Sequence, residues 1–290
     1  MTRFQALMLT LLSVAICMGG NCSRARVESI NKMNEGVIAG QQKRYMEAIK
    51  AFESAAAIDS ENDQVFWNMG IVHMEMRKFE RARDDLQKAV ALNPTSASYQ
   101  EKLGTVLMEL KDWAGAKTAL EAAIKNDPSL FKAYYKLGQT LERLDDQQNA
   151  LRRYTEAIQK GPRLLEAYSA LGRLYADLGY LDYAVQVFQE AFKVALTGTE
   201  EEALVHYLLG TVYQEKKKYD EAIREFRAAL DVVPGMRDAL FSLGWTYLLT
   251  NEKEEAKRFL KKFIEVAGPD TPAHYVKAAQ DKLNEMVEGF

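Results

Sequence analysis

The chain has 290 residues, of which 48% are hydrophobic and 27% charged, and its formal charge is −3. Such a composition excludes a mostly disordered chain, which lacks the apolar residues needed to form a core. It also argues against nucleic acid as the main partner, because phosphate binding needs a concentrated basic surface, and the densest basic run here is Lys216-Lys217-Lys218.

At the N-terminus, residues 1–5 carry one positive charge, Arg3, and residues 6–18 are uncharged and mostly apolar. Gly19, Gly20, Asn21 and Cys22 follow. A charged tip, a short apolar centre and small residues make the layout of a secretory signal over residues 1–22. The apolar run is shorter than the roughly 20 residues a spanning helix needs, so an uncleaved anchor is the weaker reading. A cysteine just past the apolar run is similar to a bacterial lipoprotein signal, in which that cysteine is lipidated and becomes the new N-terminus. The resemblance makes Cys22 the lipidation candidate. The lipoprotein box has Leu at −3 and a small residue at −1, whereas Gly19 and Asn21 stand there, so a plain cut by the ordinary signal peptidase stays open beside it. Either way the expectation is an exported protein, in the periplasm or anchored to a membrane, with an outer-membrane lipoprotein as one form. Cys17 and Cys22 are the only cysteines; the rest of the chain has no internal disulfide, no Cys-based metal site and no Cys nucleophile.

From residue 29 the sequence keeps a beat. Glycine recurs at Gly36, Gly70, Gly104, Gly138, Gly172, Gly210 and Gly244, in steps of 34 apart from one of 38. Twelve residues after each stands an alanine: Ala48, Ala82, Ala116, Ala150, Ala184, Ala222 and Ala256. Four further on are Phe52, Leu86, Leu120, Tyr154, Phe188, Phe226 and Leu260. Three beyond those come Ala55, Ala89, Ala123, Ala157, Ala191 and Ala229, with Phe263 breaking the series. Pro94, Pro128, Pro162 and Pro234 fall at one phase.

Each period reads as two antiparallel helices, A then B. In the fourth copy they cover Leu130 to Arg143 and Gln147 to Gln159. Glycine inside a helix is unfavourable by about 1 kcal/mol relative to alanine, so seven at one phase need a compensating close approach of B onto A. The alanines of B supply the other side of that contact. The Phe, Tyr or Leu one turn later contributes about 1.5–3 kcal/mol when fully buried, and proline ends helix B. The 38-residue step places an insertion at Val194 to Glu202, as a longer loop or an extra turn on the preceding helix. Thr199 and Glu202 there form a capping-box pattern. After the seventh copy, Thr271 and Pro272 read as a helix start, and Tyr275, Val276, Ala279, Leu283 and Met286 follow helical spacing. Pro272 to Val287, within a terminal segment 271–290, is expected to cap the open end of the stack.

These phased positions resemble the tetratricopeptide repeat, whose period is 34, over residues 29–268 in seven copies. The resemblance implies an all-α, right-handed superhelical solenoid of seven helix pairs plus the C-terminal capping helix. It implies a concave groove lined by helix A, with contacting side chains three before, one after and four after the helix-A glycine. In this sequence that groove holds Trp67, Ile71 and Met74 at one end, and Tyr207, Phe241, Trp245 and Leu248 at the other. Met108, Lys132, Tyr135, Lys136, Gln139 and Arg173 lie between. Packing between repeats, or a homodimer seam, is the competing reading of these residues.

No catalytic arrangement is present. His73, His206 and His274 share no metal-ligand spacing with one another or with a cysteine, and there is no phosphate loop or nucleophile elbow. The expectation is a non-enzymatic interaction scaffold of the bacterial cell envelope, without cofactor or metal. Its partners are protein or peptide segments of apolar or aromatic character. Nucleic acid is not among them, and membrane contact runs only through the N-terminal lipid or an uncleaved signal. Signal plus repeats is similar to the pilotin lipoproteins of type IV pilus systems, which help secretins assemble. The alternative is a regulatory or adaptor subunit of a separate enzyme or export complex.

Overall fold

The computed structural model describes residues 24–288; the signal reading and Cys22 lie outside them. Among the described residues there are 15 α-helices and no strand, and no helix is long and apolar enough to cross a membrane. The chain divides into two compact units, the first ending at Asp145 and the second beginning at Asp146. In the first, α1 (Arg24–Gln41), α3 (Asp63–Glu75), α5 (Ala97–Glu109) and α7 (Phe131–Arg143) are A helices. Between them lie the B helices α2 (Tyr45–Ile58), α4 (Phe79–Leu92) and α6 (Trp113–Asn126). The second unit begins with a B helix, α8 (Gln147–Lys160). It continues as α9 (Leu165–Asp177), α10 (Leu181–Ala191), α11 (Glu200–Glu215), α12 (Tyr219–Val232), α13 (Arg237–Leu249), α14 (Lys253–Val266) and α15 (Ala273–Glu288).

The phased small residues make the pairs. All seven alanines of the first B series are fully buried. A Cβ added at Gly172 would stand 2.4–2.9 Å from three ring carbons of Phe188, and one at Gly104 would stand 2.7 Å from Cγ of Leu120. The glycine is therefore a slot for the large B residue sixteen positions later: Phe in the first, fifth and sixth copies, Leu in the second, third and seventh. Phe263 breaks the alanine series because it faces no further helix pair. It is buried in the cluster that α15 closes with Ala279 and Leu283.

Every A-to-B turn has the same form. The residue seven after the phased glycine is left-handed: Lys43, Arg77, Lys111, Asp145, Gly179, Lys217 and Asn251, with φ between 57° and 79°. In six of the seven, all but the fourth, the next N–H reaches back to the last turn of helix A, as in Asp112 N–H to the Leu107 carbonyl at 2.9 Å and Lys218 N–H to the Tyr213 carbonyl at 2.9 Å. This is the helix-ending geometry in which glycine normally carries the left-handed residue. Lysine, arginine and aspartate meet a Cβ penalty there of about 1–2 kcal/mol. Lys111→Gly relieves it against a larger loss of chain freedom, and is expected to raise stability by about 0.5 kcal/mol, read as a higher urea midpoint.

The four inserted residues do not lengthen the preceding helix. Helix α10 has 11 residues, against 14 in the other B helices, and α11 has 16 against 13 in the A helices α3 to α9 and α13. Residues 192–199 form turns between them. The capping box is also shifted. The Thr199 hydroxyl donates to the Leu196 carbonyl at 2.5 Å, and the Glu202 carboxylate accepts from the Gly198 N–H at 2.6 Å. The tight turn at Gly198 presents its own amide to Glu202 in place of that of Thr199. At α15, the Thr271 hydroxyl accepts from the Gly268 N–H and from Arg237 at 2.9–3.0 Å, fastening the turn before the helix to the start of α13.

Candidate protein-binding face

Within each unit successive A helices touch, α1 with α3, α5 with α7, α9 with α11 and α11 with α13, and no two successive B helices pack as closely. The row of A helices is therefore the inner side of each unit's stack, and it carries the side chains singled out from the sequence.

In the first unit, Trp67, Ile71, Met74 and Met108 are half-buried. Trp67 is not a free platform: its ring stacks on Tyr99, with centroids 4.8 Å apart. Tyr99 is held in turn by its hydroxyl, which donates to Asp63 at 3.2 Å, and Asn93 donates to the same carboxylate oxygen at 3.0 Å. Burial, reinforced by the Asp63 charge, pushes the Tyr99 phenol well above the ordinary tyrosine range. Trp67, Met74 and Met108 also pack on the core that contains Leu103 and Leu107. What remains exposed is one flank of an inter-repeat seam rich in thioethers, which adapt their shape to a partner.

Beside that flank is an ion pair that spacing along the chain did not reveal. The Lys136 ammonium on α7 bonds the Glu101 carboxylate on α5 and donates to the Thr105 hydroxyl at 2.6 Å. Lys102 approaches the same carboxylate at 3.2 Å. Burial pushes Glu101 upward, but the two ammonium groups outweigh it, and the carboxyl is held below its usual range. Lys136 is itself held below the ordinary lysine range, by burial first, with Glu101 opposing. Gln139 donates to the Tyr135 hydroxyl at 2.9 Å, and Lys132 is exposed.

The second unit carries the other predicted set. Arg173 is exposed on α9. Tyr207 is half-buried against the Phe226 ring, 6.1 Å between centroids, and burial raises its phenol, with Asp238 adding to the effect. Phe241 stacks on Trp245 at 5.6 Å and meets Phe263 and Tyr275 edge-on at 5.2 and 4.8 Å. Tyr275 belongs to α15, which thus occupies the flank of α13 that a further A helix would take. Between α13 and α15 lies a cavity of about 310 Å³, floored by Trp245, Leu248, Leu249 and Met286 and rimmed by Lys253, Lys282 and Glu285. Tyr99 and Tyr275 are the members of these seams that sequence reading missed. Both lie outside the three offsets, one on the neighbouring repeat and one on the cap.

Two of the three histidines, His73 and His206, act as bolts between A and B helices. His73 Nδ1 is 2.7 Å from Asp85, both buried, and His206 Nδ1 is 2.7 Å from Glu225. Burial raises the Asp85 carboxyl, with His73 opposing. Among the described residues no three His, Cys, Asp or Glu side chains form a group able to hold a metal ion.

Comparison with known proteins accords with this architecture. Models described as tetratricopeptide repeat match residues 68–131, 102–162, 165–197 and 201–267, together about two thirds of the chain. No curated protein sequence matches. Among solved structures, the chain is similar to MamA, at 26% identity and TM-score 0.55, with 58% of this chain and 91% of that one covered. It is similar to YrrB, described as a tetratricopeptide-repeat protein with an unusual peptide-binding site, at 24% identity and TM-score 0.55, covering 66% and 97%. The C-terminal part of a repeat-containing protein from Cytophaga hutchinsonii matches at 17% identity and TM-score 0.69, covering 87% and 99%. With its phased glycines seated on helix B and repeat models matching about two thirds of its length, the chain belongs to the tetratricopeptide-repeat family.

Proposed function

We propose that this protein is a non-enzymatic scaffold of the bacterial cell envelope that holds apolar or aromatic segments of partner proteins along its A-helix faces. The observation that carries the reading is the thioether-rich flank of Trp67, Met74 and Met108 beside the Glu101–Lys136 pair. A half-buried apolar surface next to fixed polar groups is how protein-binding sites are built. The peptide-binding site named for YrrB supports the same use of the fold. The chain reaches the envelope through the signal over residues 1–22, with Cys22 as lipid acceptor, and its task there is assembly, in the manner of the pilotins that deliver secretin subunits. A regulatory or adaptor subunit of a separate enzyme or export complex is the second reading, favoured by the same flank.

Candidate secretin segments are titrated against the protein and its Trp67→Ala, Met74→Glu and Trp245→Ala variants, with the thermal midpoint of each as control. A central aromatic of an interface typically carries more than 2 kcal/mol, so at least one variant is expected to lose about thirtyfold in affinity. Unchanged affinity in all three removes the face from the reading. Fatty-acid labelling that persists in Cys22→Ala removes the lipid acceptor.

A further inference from the structure

The first and the last described helices are covered differently. At the C-terminal end α15 covers α14, burying Ala279 and Leu283. At the other end α1 is the first described helix, and what every later A helix buries against the preceding B helix stands open. At the position of Asn31, the later copies hold Val65, Tyr99, Ala133, Ala167, Val205 and Ala239, none more than 8% exposed. At the position of Ile38 they hold Val72, Val106, Thr140, Leu174, Val212 and Thr246, none above 7%. Ile38 itself is 49% exposed, and so is Val27.

This open face has a composition of its own. Val27, Ile30, Asn31, Asn34, Ile38 and Gln41 recur at three- and four-residue steps and so share one side of α1. None is charged, and all five charged residues of the helix, Arg24, Arg26, Glu28, Lys32 and Glu35, fall off the stripe. The nearest acid, Glu35, is bonded by Lys32 at 2.9 Å. Four of these six residues read alike from both ends: apolar, Asn, Asn, apolar, at positions 27, 31, 34 and 38. A twofold axis level with residues 32 and 33 sets Val27 against Ile38 of the partner subunit. The same axis sets Asn31 against Asn34 of the partner subunit. Such self-complementarity is what an isologous contact requires, and a facing pair of asparagines fixes the register of packed helices.

We infer that the N-terminal end of the first unit's stack is closed by a second copy of this chain, through antiparallel pairing of the two α1 helices. The stripe needs a helical cover without charge, and the chain's own α1 is such a cover.

The test uses the full-length chain with Cys17 and Cys22 replaced by serine, which removes any lipid and any native thiol. Val27→Cys and Ile38→Cys versions are mixed and oxidised. The inference expects disulfide-linked pairs between positions 27 and 38. Like positions lie about 16 Å apart in this arrangement, beyond the roughly 7 Å that a disulfide spans. Sedimentation of the same chain is expected to show a dimer whose dissociation constant rises at least about tenfold in Ile38→Glu, with the helical circular dichroism unchanged. A monomer at all concentrations, a dimer indifferent to Ile38→Glu, or linkage of like positions as readily as unlike overturns it. Association driven by the apolar residues 6–18 gives the second of these results.

Discussion

Gly172→Ala is expected to lower stability by about 2 kcal/mol, although alanine is the better helix former by about 1 kcal/mol. The added methyl has nowhere to go: three ring carbons of Phe188 lie 2.4–2.9 Å from its position, and Phe188 is buried at 1% exposure. Forcing a methyl into a filled core is unfavourable by about 1–3 kcal/mol, and contact with a stiff ring places this site at the upper end. The second copy of the argument is the rescue. Phe188→Ala takes away the ring that the methyl strikes. The double variant Gly172→Ala, Phe188→Ala is therefore expected to be more stable than the sum of its parts by about 1 kcal/mol or more. Urea unfolding of the four proteins measures this coupling. Strict additivity, or a stabilised Gly172→Ala, contradicts the reading of the phased glycines as slots for the facing B residue.

Removing the carboxylate from Glu101 is the second large effect. Its side chain is 8% exposed and that of Lys136 is 20% exposed. Glu101→Ala leaves the ammonium in a site that was closed around a negative charge. Stranding one member of a buried pair is unfavourable by about 3–5 kcal/mol; Lys136 keeps some water, so about 2 kcal/mol is expected. The acid side follows from the lowered Glu101 carboxyl. A carboxyl bound less tightly to its proton when folded adds stability above its unfolded value, near 4.5, and loses it as pH falls through the folded value. The protein is thus expected to lose more stability between about pH 5 and pH 3 than Glu101→Gln does. Lys136, also lowered, has the opposite sense: its charged form is disfavoured in the fold, and this penalty fades only as pH rises toward 10.5. The two effects fall in separate windows. Unfolding midpoints from pH 3 to 7 compare the acid arm, and parallel curves for the two proteins contradict the pairing.

The seams show how far side-chain type carries a functional reading. Trp67 and Trp245 stood out because large aromatics occupied offsets that face the groove. In the fold each is partly spent on a neighbour, Trp67 on Tyr99 and Trp245 on Phe241. Tyr99 sits on the next A helix, and Phe241, one turn before Trp245 on α13, is met in turn by Tyr275 of α15; nothing in a 34-residue period says which rotamer a ring adopts or how far the next helix leans over it. Lys136 is named among the groove residues, and Glu101 stands three before Gly104, one of the groove offsets; that they bond each other depends on α5 and α7 touching at that level.

The sequence by itself determined the repeat. A 34-residue beat of glycine, alanine and large apolar residues can be satisfied only by paired helices in close approach, because packing volume at the A–B contact dictates residue size. It equally determined where four of the seven B helices stop, through Pro94, Pro128, Pro162 and Pro234. Tertiary structure alone decided the turns, where Lys43, Arg77, Lys111 and Lys217 hold a left-handed conformation that their residue type disfavours, since burial of the flanking helices outweighs that local penalty. It also decided which apolar surface is left over. Val27 and Ile38 look like ordinary helix residues in the sequence, and only the lack of a preceding B helix among the described residues turns them into an open face.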